Sequence, residues 1–282
     1  MDSHIIEGES STKTPQPRRL LSVGVQKHAK CVWTADDILT ERECQTIIDA
    51  SKDSLSRSTV LKGASEEDPA LNNGRTSTNA WLLAKDLDID SEAFKVLLKI
   101  EKITETFTDI PIENQEGLQV LKYNEGEQYE SHHDFFHDNH KEFDKVMAEG
   151  GQRIFTVYFY LNNVEEGGET FFPRLDVKIK PKTGRAVIWQ NVIDGEVYHP
   201  SLHWGMPPVK GVKWGCTKWC REREFSGIQH ADYIVRNEAG KDLSNTTSRY
   251  PIIDLPATEP EGVFTIKKRQ PIDSSKAEVI IV

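Results

Sequence analysis

From Leu118 onward the sequence runs in short apolar segments with a period of two, rich in Val, Ile, Tyr, Phe and Trp and broken by Gly and Pro. That period places successive side chains on opposite faces of an extended chain, so this half of the molecule reads as a succession of short strands. Many short strands with frequent turns suit a double-stranded β-helix, a jelly-roll, cupin-like barrel whose mouth can hold a site. Upstream the period changes. Thr40 and Glu43 form a capping-box pair ahead of Cys44, Ile47 and Ile48, which predicts a helix from about Glu41 into the early fifties. A second helix is expected after Asp90 or Ser91, with Leu97, Ile100, Ile103 and Phe107 along one stripe, stopping before Pro111. Both would buttress one face of a sheet, which gives an α+β fold.

Four residues in the strand-rich half carry chemistry: His132 and Asp134 in "YESHHDFF", His203 in "SLHWG" and Lys213 in "GVKWG". On one extended strand His132 and Asp134 would leave on the same face while His133 points away. A nitrogen from His203 on a distant strand would complete a two-histidine, one-carboxylate triad that leaves three metal positions open and suits non-haem Fe(II) working with O2. Zinc hydrolases also use three protein ligands and a water, so the triad alone does not choose the metal. Lys213 argues for the oxygenase. It follows His203 by ten positions on what reads as the next strand, and an ammonium buried in a barrel requires an anionic partner, such as the far carboxylate of a dicarboxylate chelating the metal.

On these residues the chain resembles the 2-oxoglutarate and Fe(II)-dependent prolyl 4-hydroxylases. The resemblance runs through "LQVLKYNEGEQYESHHDFF" (118–136), "GGQRIFTVYFYLNNVEEGGETFFP" (150–173), "PKTGRAVIW" (181–189) and "SLHWGMPPVKGVKWGCTKW" (201–219), and extends upstream through "RTSTNAWL" (75–82) to "ILTERECQTII" (38–48). It implies that His132, Asp134 and His203 bind iron and that Lys213 binds the distal carboxylate of 2-oxoglutarate. By the same resemblance Tyr123 hydrogen-bonds the cosubstrate, Thr156 lines its pocket, and Tyr129 and Trp219 stand on the substrate side of the iron. The implied reaction hydroxylates peptidyl proline at C4 with Fe(II), 2-oxoglutarate and O2, ascorbate serving as reductant. Trp204 departs from the family's small residue after the second histidine, which suggests a narrower substrate pocket. Three readings stand beside this one: the same chemistry on a free amino acid, small metabolite or other side chain; a non-catalytic binding module; and a zinc-type hydrolase, which leaves Lys213 unexplained.

Composition bounds the partners. A net charge of −10 without a local basic cluster argues against nucleic acid and anionic membranes. No apolar run is long enough for a membrane span, and the polar opening has no signal-peptide pattern, so the chain is expected to be soluble: cytoplasmic, or in the endoplasmic reticulum if a leader was trimmed. Cys216 and Cys220 lie four apart on an expected strand, roughly 13 Å at strand rise, which is too far for a disulfide. Cys44 falls on a core position, with Cys31 as its only conceivable partner. Three segments are expected: a disordered polar stretch over 1–22, a dioxygenase domain over 23–225 and an extension of unknown role over 226–282. Between the helices, the loop "KGASEEDPALNNGRTST" (62–78) reads as a lid over a peptide.

Overall fold

The computed structural model describes residues 25–58, 74–225, 252–254 and 265–267. The elements follow in chain order: β1 (Gln26–Ala29), β2 (Val32–Ala35), α1 (Glu41–Ser51), β3 (Ser56–Arg57), β4 (Thr78–Leu82) and α2 (Glu92–Thr108). Next come β5 (Leu118–Tyr123), β6 (Tyr129–His132), α3 (Phe143–Ala148), β7 (Arg153–Tyr160), β8 (Glu166–Gly167), β9 (Thr170–Phe172) and β10 (Val177–Ile179). The barrel half closes with β11 (Ala186–Gln190), β12 (Val192–Ile193), β13 (Glu196–Val197), β14 (His203–Gly205), β15 (Pro208–Lys210) and β16 (Lys213–Arg221). In the tail, β17 (Ile252–Asp254) pairs antiparallel with β18 (Thr265–Lys267). The expected disordered segment and most of the tail lie outside the described residues. So does most of the expected lid, up to residue 73.

Two antiparallel sheets make the jelly roll. The larger runs β1-β2-β11-β7-β16-β5-β4-β3 and the smaller β10-β9-β14-β6. In the large sheet β7, β11 and β16 are almost entirely buried along their length, because helices cover one face and the small sheet the other. This gives two cores. Ile47, Phe94, Leu97, Ile100 and Phe107 of the helices pack on Val120, Phe155, Val157 and Phe159 at the outer face. At the inner face Leu121, Tyr158, Tyr160, Val187 and Trp189 meet Phe172 and Ile179 of the small sheet.

Both expected helices form. Thr40 caps α1 in a reciprocal box with Glu43, and Glu43 also takes the buried Lys99 ammonium of α2 at 2.8 Å, tying the helices together. Ser91 caps α2, which ends at Asp109 in the left-handed conformation just ahead of Pro111. Cys31, Cys44, Cys216 and Cys220 are all buried free thiols; Cys31 lies in the inner core and Cys44 in the outer, on opposite sides of the large sheet. Below the site, Glu116 takes Arg153 through two 2.7 Å bonds and Arg221 at 2.9 Å. Burial pushes the Glu116 carboxyl up, but the two guanidinium groups outweigh it and leave it below its ordinary value. Among the described residues no helix is long and apolar enough to cross a membrane.

Candidate metal centre

His132 closes β6 and His203 opens β14, and the two residues are direct antiparallel partners. They lie seventy-one positions apart in sequence but are neighbours in the small sheet. Asp134 departs from expectation: β6 ends at His132, and Asp134 sits in the bend that follows. The bend nevertheless returns its carboxylate to the same side. Oδ1 stands 3.7 Å from His132 Nε2 and Oδ2 3.7 Å from His203 Nε2. One ligand atom from each residue lies within 4.8 Å of the others.

The surroundings prepare these atoms for a metal. His132 Nδ1 donates to the Glu130 carbonyl at 2.7 Å and His203 Nδ1 to the Ser201 carbonyl at 3.0 Å, which leaves both Nε2 lone pairs toward Asp134. Burial, reinforced by the neighbouring His203, lowers the His132 pKa to about 3, so its ring is neutral and available as a ligand. Burial pushes the Asp134 carboxyl up, but His203, His132 and Arg153 outweigh it, aided by a hydrogen bond from Thr156, and it stays below its ordinary value. Tyr129 stacks on the His132 ring with centroids 3.5 Å apart, and the Arg75 guanidinium lies 4.5 Å from the centre of the Tyr129 ring.

Lys213 enters from the large sheet across the sandwich, with β15 intervening, rather than from the next strand after His203. It is 1% exposed, and no carboxylate among the described residues pairs with its ammonium. The rings of Tyr123, Tyr158 and Tyr160 surround it at 4.9, 5.5 and 5.6 Å. Burial lowers its pKa to about 7, although Glu169 pulls the other way. A lysine kept this dry without a counter-charge is a site awaiting an anion.

The other expected residues divide. Tyr123, Tyr129 and Trp219 line the cavity that joins the triad to Lys213. Thr156 does not: its hydroxyl donates to Asp134 Oδ2 at 2.7 Å and accepts from the Asn191 amide at 2.9 Å, which makes it a support for the Asp134 carboxylate. Trp204 is corrected. It lines neither this cavity nor the adjoining cleft; its indole donates to Gln128 at 3.0 Å, because on β14 the residue after His203 must face the other way. Sequence reasoning missed Tyr158, Thr170, Trp189 and Arg75 on the cavity wall. For Tyr158 the signal was present, since it shares a face with Thr156 and Tyr160.

The comparisons with known proteins agree with this geometry. The profile of the 2OG-Fe(II) oxygenase superfamily matches residues 118–221. Probable prolyl 4-hydroxylase 10 of Arabidopsis thaliana is 37% identical over 211 residues, covering 67% of this chain and 68% of the relative. Prolyl 4-hydroxylase 2 of the same plant is 32% identical over 249 residues, covering 80% and 77%. The chain belongs to the prolyl 4-hydroxylase family of 2OG-Fe(II) oxygenases. It is therefore a 2-oxoglutarate-dependent dioxygenase using Fe(II) and O2, and the triad and the dry lysine fit both metal and cosubstrate. Among solved structures, the viral collagen prolyl hydroxylase of Paramecium Bursaria Chlorella virus-1, in its 2OG complex, is 27% identical with a TM-score of 0.51, covering 68% of this chain and 97% of the viral one.

Proposed function

We propose that this dioxygenase hydroxylates prolyl residues, at C4, in proline-rich peptides or proteins, as the names of its relatives suggest. The observation that carries the reading is the position of the triad between two spaces. On one side is the cavity ending at Lys213; on the other is a cleft of about 640 Å³ walled by Trp81, Phe136, Arg153 and Trp219. His132, Asp134, Tyr129 and Trp219 belong to both. An extended, proline-rich chain suits an aromatic-walled cleft because its conformational freedom is already restricted.

His132, Asp134 and His203 would hold Fe(II) through the two Nε2 atoms and the carboxylate. Bound Fe(II) with 2-oxoglutarate and O2 supplies the hydroxylating oxidant, with succinate and CO2 as coproducts. The chain's own residues position and protect. Thr156 fixes the Asp134 carboxylate, Lys213 and Tyr123 take the distal carboxylate of 2-oxoglutarate, and the aromatic walls exclude water. Residues 23–225 form the catalytic unit in this reading, and ascorbate is the reductant that keeps the iron ferrous.

The test is succinate production by the full chain with Fe(II), 2-oxoglutarate and ascorbate, with and without proline-rich peptides weighed for an added oxygen. Peptide-dependent succinate with one oxygen on proline supports the reading. Succinate without any modified proline sends the search to other substrates and overturns it.

A further inference from the structure

Tyr158 lies on β7 in the inner core, and its hydroxyl is buried with no hydrogen-bond partner among the described residues. An orphaned buried hydroxyl is costly unless something else satisfies it. Its surroundings say what that is. The phenol lines the same cavity as the triad, and its ring lies 5.5 Å from the Lys213 ammonium. Of the neighbouring phenols Tyr160 is committed, bonding Thr170 and the Ile179 carbonyl. Burial keeps the Tyr158 phenol protonated, well above its ordinary range, so it remains a donor.

The backbone makes room for this placement. Gly215, two residues beyond Lys213 on the same face of β16, lies under the phenol; a Cβ there would stand 2.0 Å from the Tyr158 hydroxyl oxygen and 2.3 Å from the ring carbon bearing it. Only glycine at 215 lets the tyrosine lie across the strand toward the lysine.

We propose that the Tyr158 hydroxyl is a further ligand for the distal carboxylate of the cosubstrate, donating to it beside Lys213 and selecting five-carbon 2-oxo diacids over 2-oxo acids without a second carboxylate. The proposal rests on the 2-oxoglutarate reading of the Lys213 cavity. Calorimetry under anaerobic conditions on the Fe(II)-loaded full chain tests it, with 2-oxoglutarate and with 2-oxobutyrate, which lacks only the distal carboxylate. Tyr158→Phe should weaken 2-oxoglutarate about 10- to 100-fold, the scale of a hydrogen bond to a charged group, and leave 2-oxobutyrate unchanged. Gly215→Ala, which displaces the phenol, should show the same selective loss. The unliganded melting temperature of Tyr158→Phe should not fall below the wild-type value, since the hydroxyl holds nothing in the free protein. Unchanged 2-oxoglutarate affinity in Tyr158→Phe overturns the proposal, as do equal losses for both acids, which would mark a packing role. A wild-type chain that binds both acids equally would instead overturn the 2-oxoglutarate reading beneath it.

Discussion

Lys213 and Tyr123 are partners across β16 and β5: their Cα atoms are in register, and the ammonium lies 4.9 Å from the centre of the phenol ring. In the free protein this pairing is an imperfect home for a charge, because an aromatic face replaces little of the hydration lost on burial. The site thus gives up stability to be ready for an anion. Lys213→Met should raise the stability of the unliganded protein by about 1–3 kcal/mol, as replacement of buried charges by apolar groups often does. The same variant should weaken 2-oxoglutarate binding about 100-fold or more, leaving a buried carboxylate unpaired. Melting curves and calorimetry read the two effects, and a destabilised Lys213→Met protein would contradict the account.

The same lysine sets a pH dependence. Its folded pKa of about 7 lies below the ordinary 10.5, so the unfolded chain holds the extra proton between those values. Stability of the free protein should therefore rise with pH across that window, and the advantage of Lys213→Met should be largest below pH 7 and shrink above it. Cosubstrate affinity runs the other way. Below about pH 7 the ammonium is already charged; above it, binding must take up a proton, and the dissociation constant should climb up to tenfold per pH unit. Proton uptake measured in two buffers of different ionisation enthalpy checks this directly.

Thr156 ties the Asp134 carboxylate to the large sheet, since its hydroxyl bridges Asp134 and Asn191. Thr156→Val keeps the shape of the side chain and removes both bonds. Metal affinity should fall about 10- to 100-fold, the usual cost of losing an outer-shell partner, with direct effects on the Lys213 pocket absent. Titration with Co(II) or Fe(II) measures it; unchanged metal affinity would show that Asp134 is held well enough by its bend alone.

These residues also show what the sequence could reveal. The triad and Lys213 were legible because each needs an unusual chemistry, and the strands were legible because period-two patterning is local. The helices announced themselves through Thr40, Glu43 and Ser91, whose caps act within four residues. Strand pairing is not local, and nothing near His132 or His203 says that β6 and β14 lie side by side. The bend that carries Asp134 was hidden because i and i+2 share a face in a strand and were also brought together by this turn. The size of Trp204 suggests a narrowed pocket, but strand alternation turns the residue after His203 to the opposite face. Thr156 was placed on the right face, but its single hydroxyl was already committed to a neighbour.

The buried trio of Glu116, Arg153 and Arg221 joins β7 and β16 beneath the cleft. Arg153 also lies 3.8 Å from the centre of the Trp219 ring, so the network holds up the cleft's aromatic wall. Glu116→Ala should destabilise the protein by about 3–5 kcal/mol because it leaves two guanidinium groups without their shared carboxylate. Chemical denaturation of the full chain gives the value, and a loss below about 1 kcal/mol would mean that water replaces Glu116 at little cost.

Trp204 provides a test on the opposite side of the small sheet. Its indole is bonded to Gln128 and leaves β14 on the face opposite the His203 ring. Trp204→Phe should therefore lower stability by about 1 kcal/mol, the value of the lost hydrogen bond and some packing, and leave cosubstrate and metal affinity unchanged. If Trp204 instead narrowed the substrate pocket, as the sequence first suggested, the variant would change KM for the peptide while leaving stability intact. Peptide kinetics and denaturation on the same preparation separate the two, because one side chain on β14 cannot face both ways.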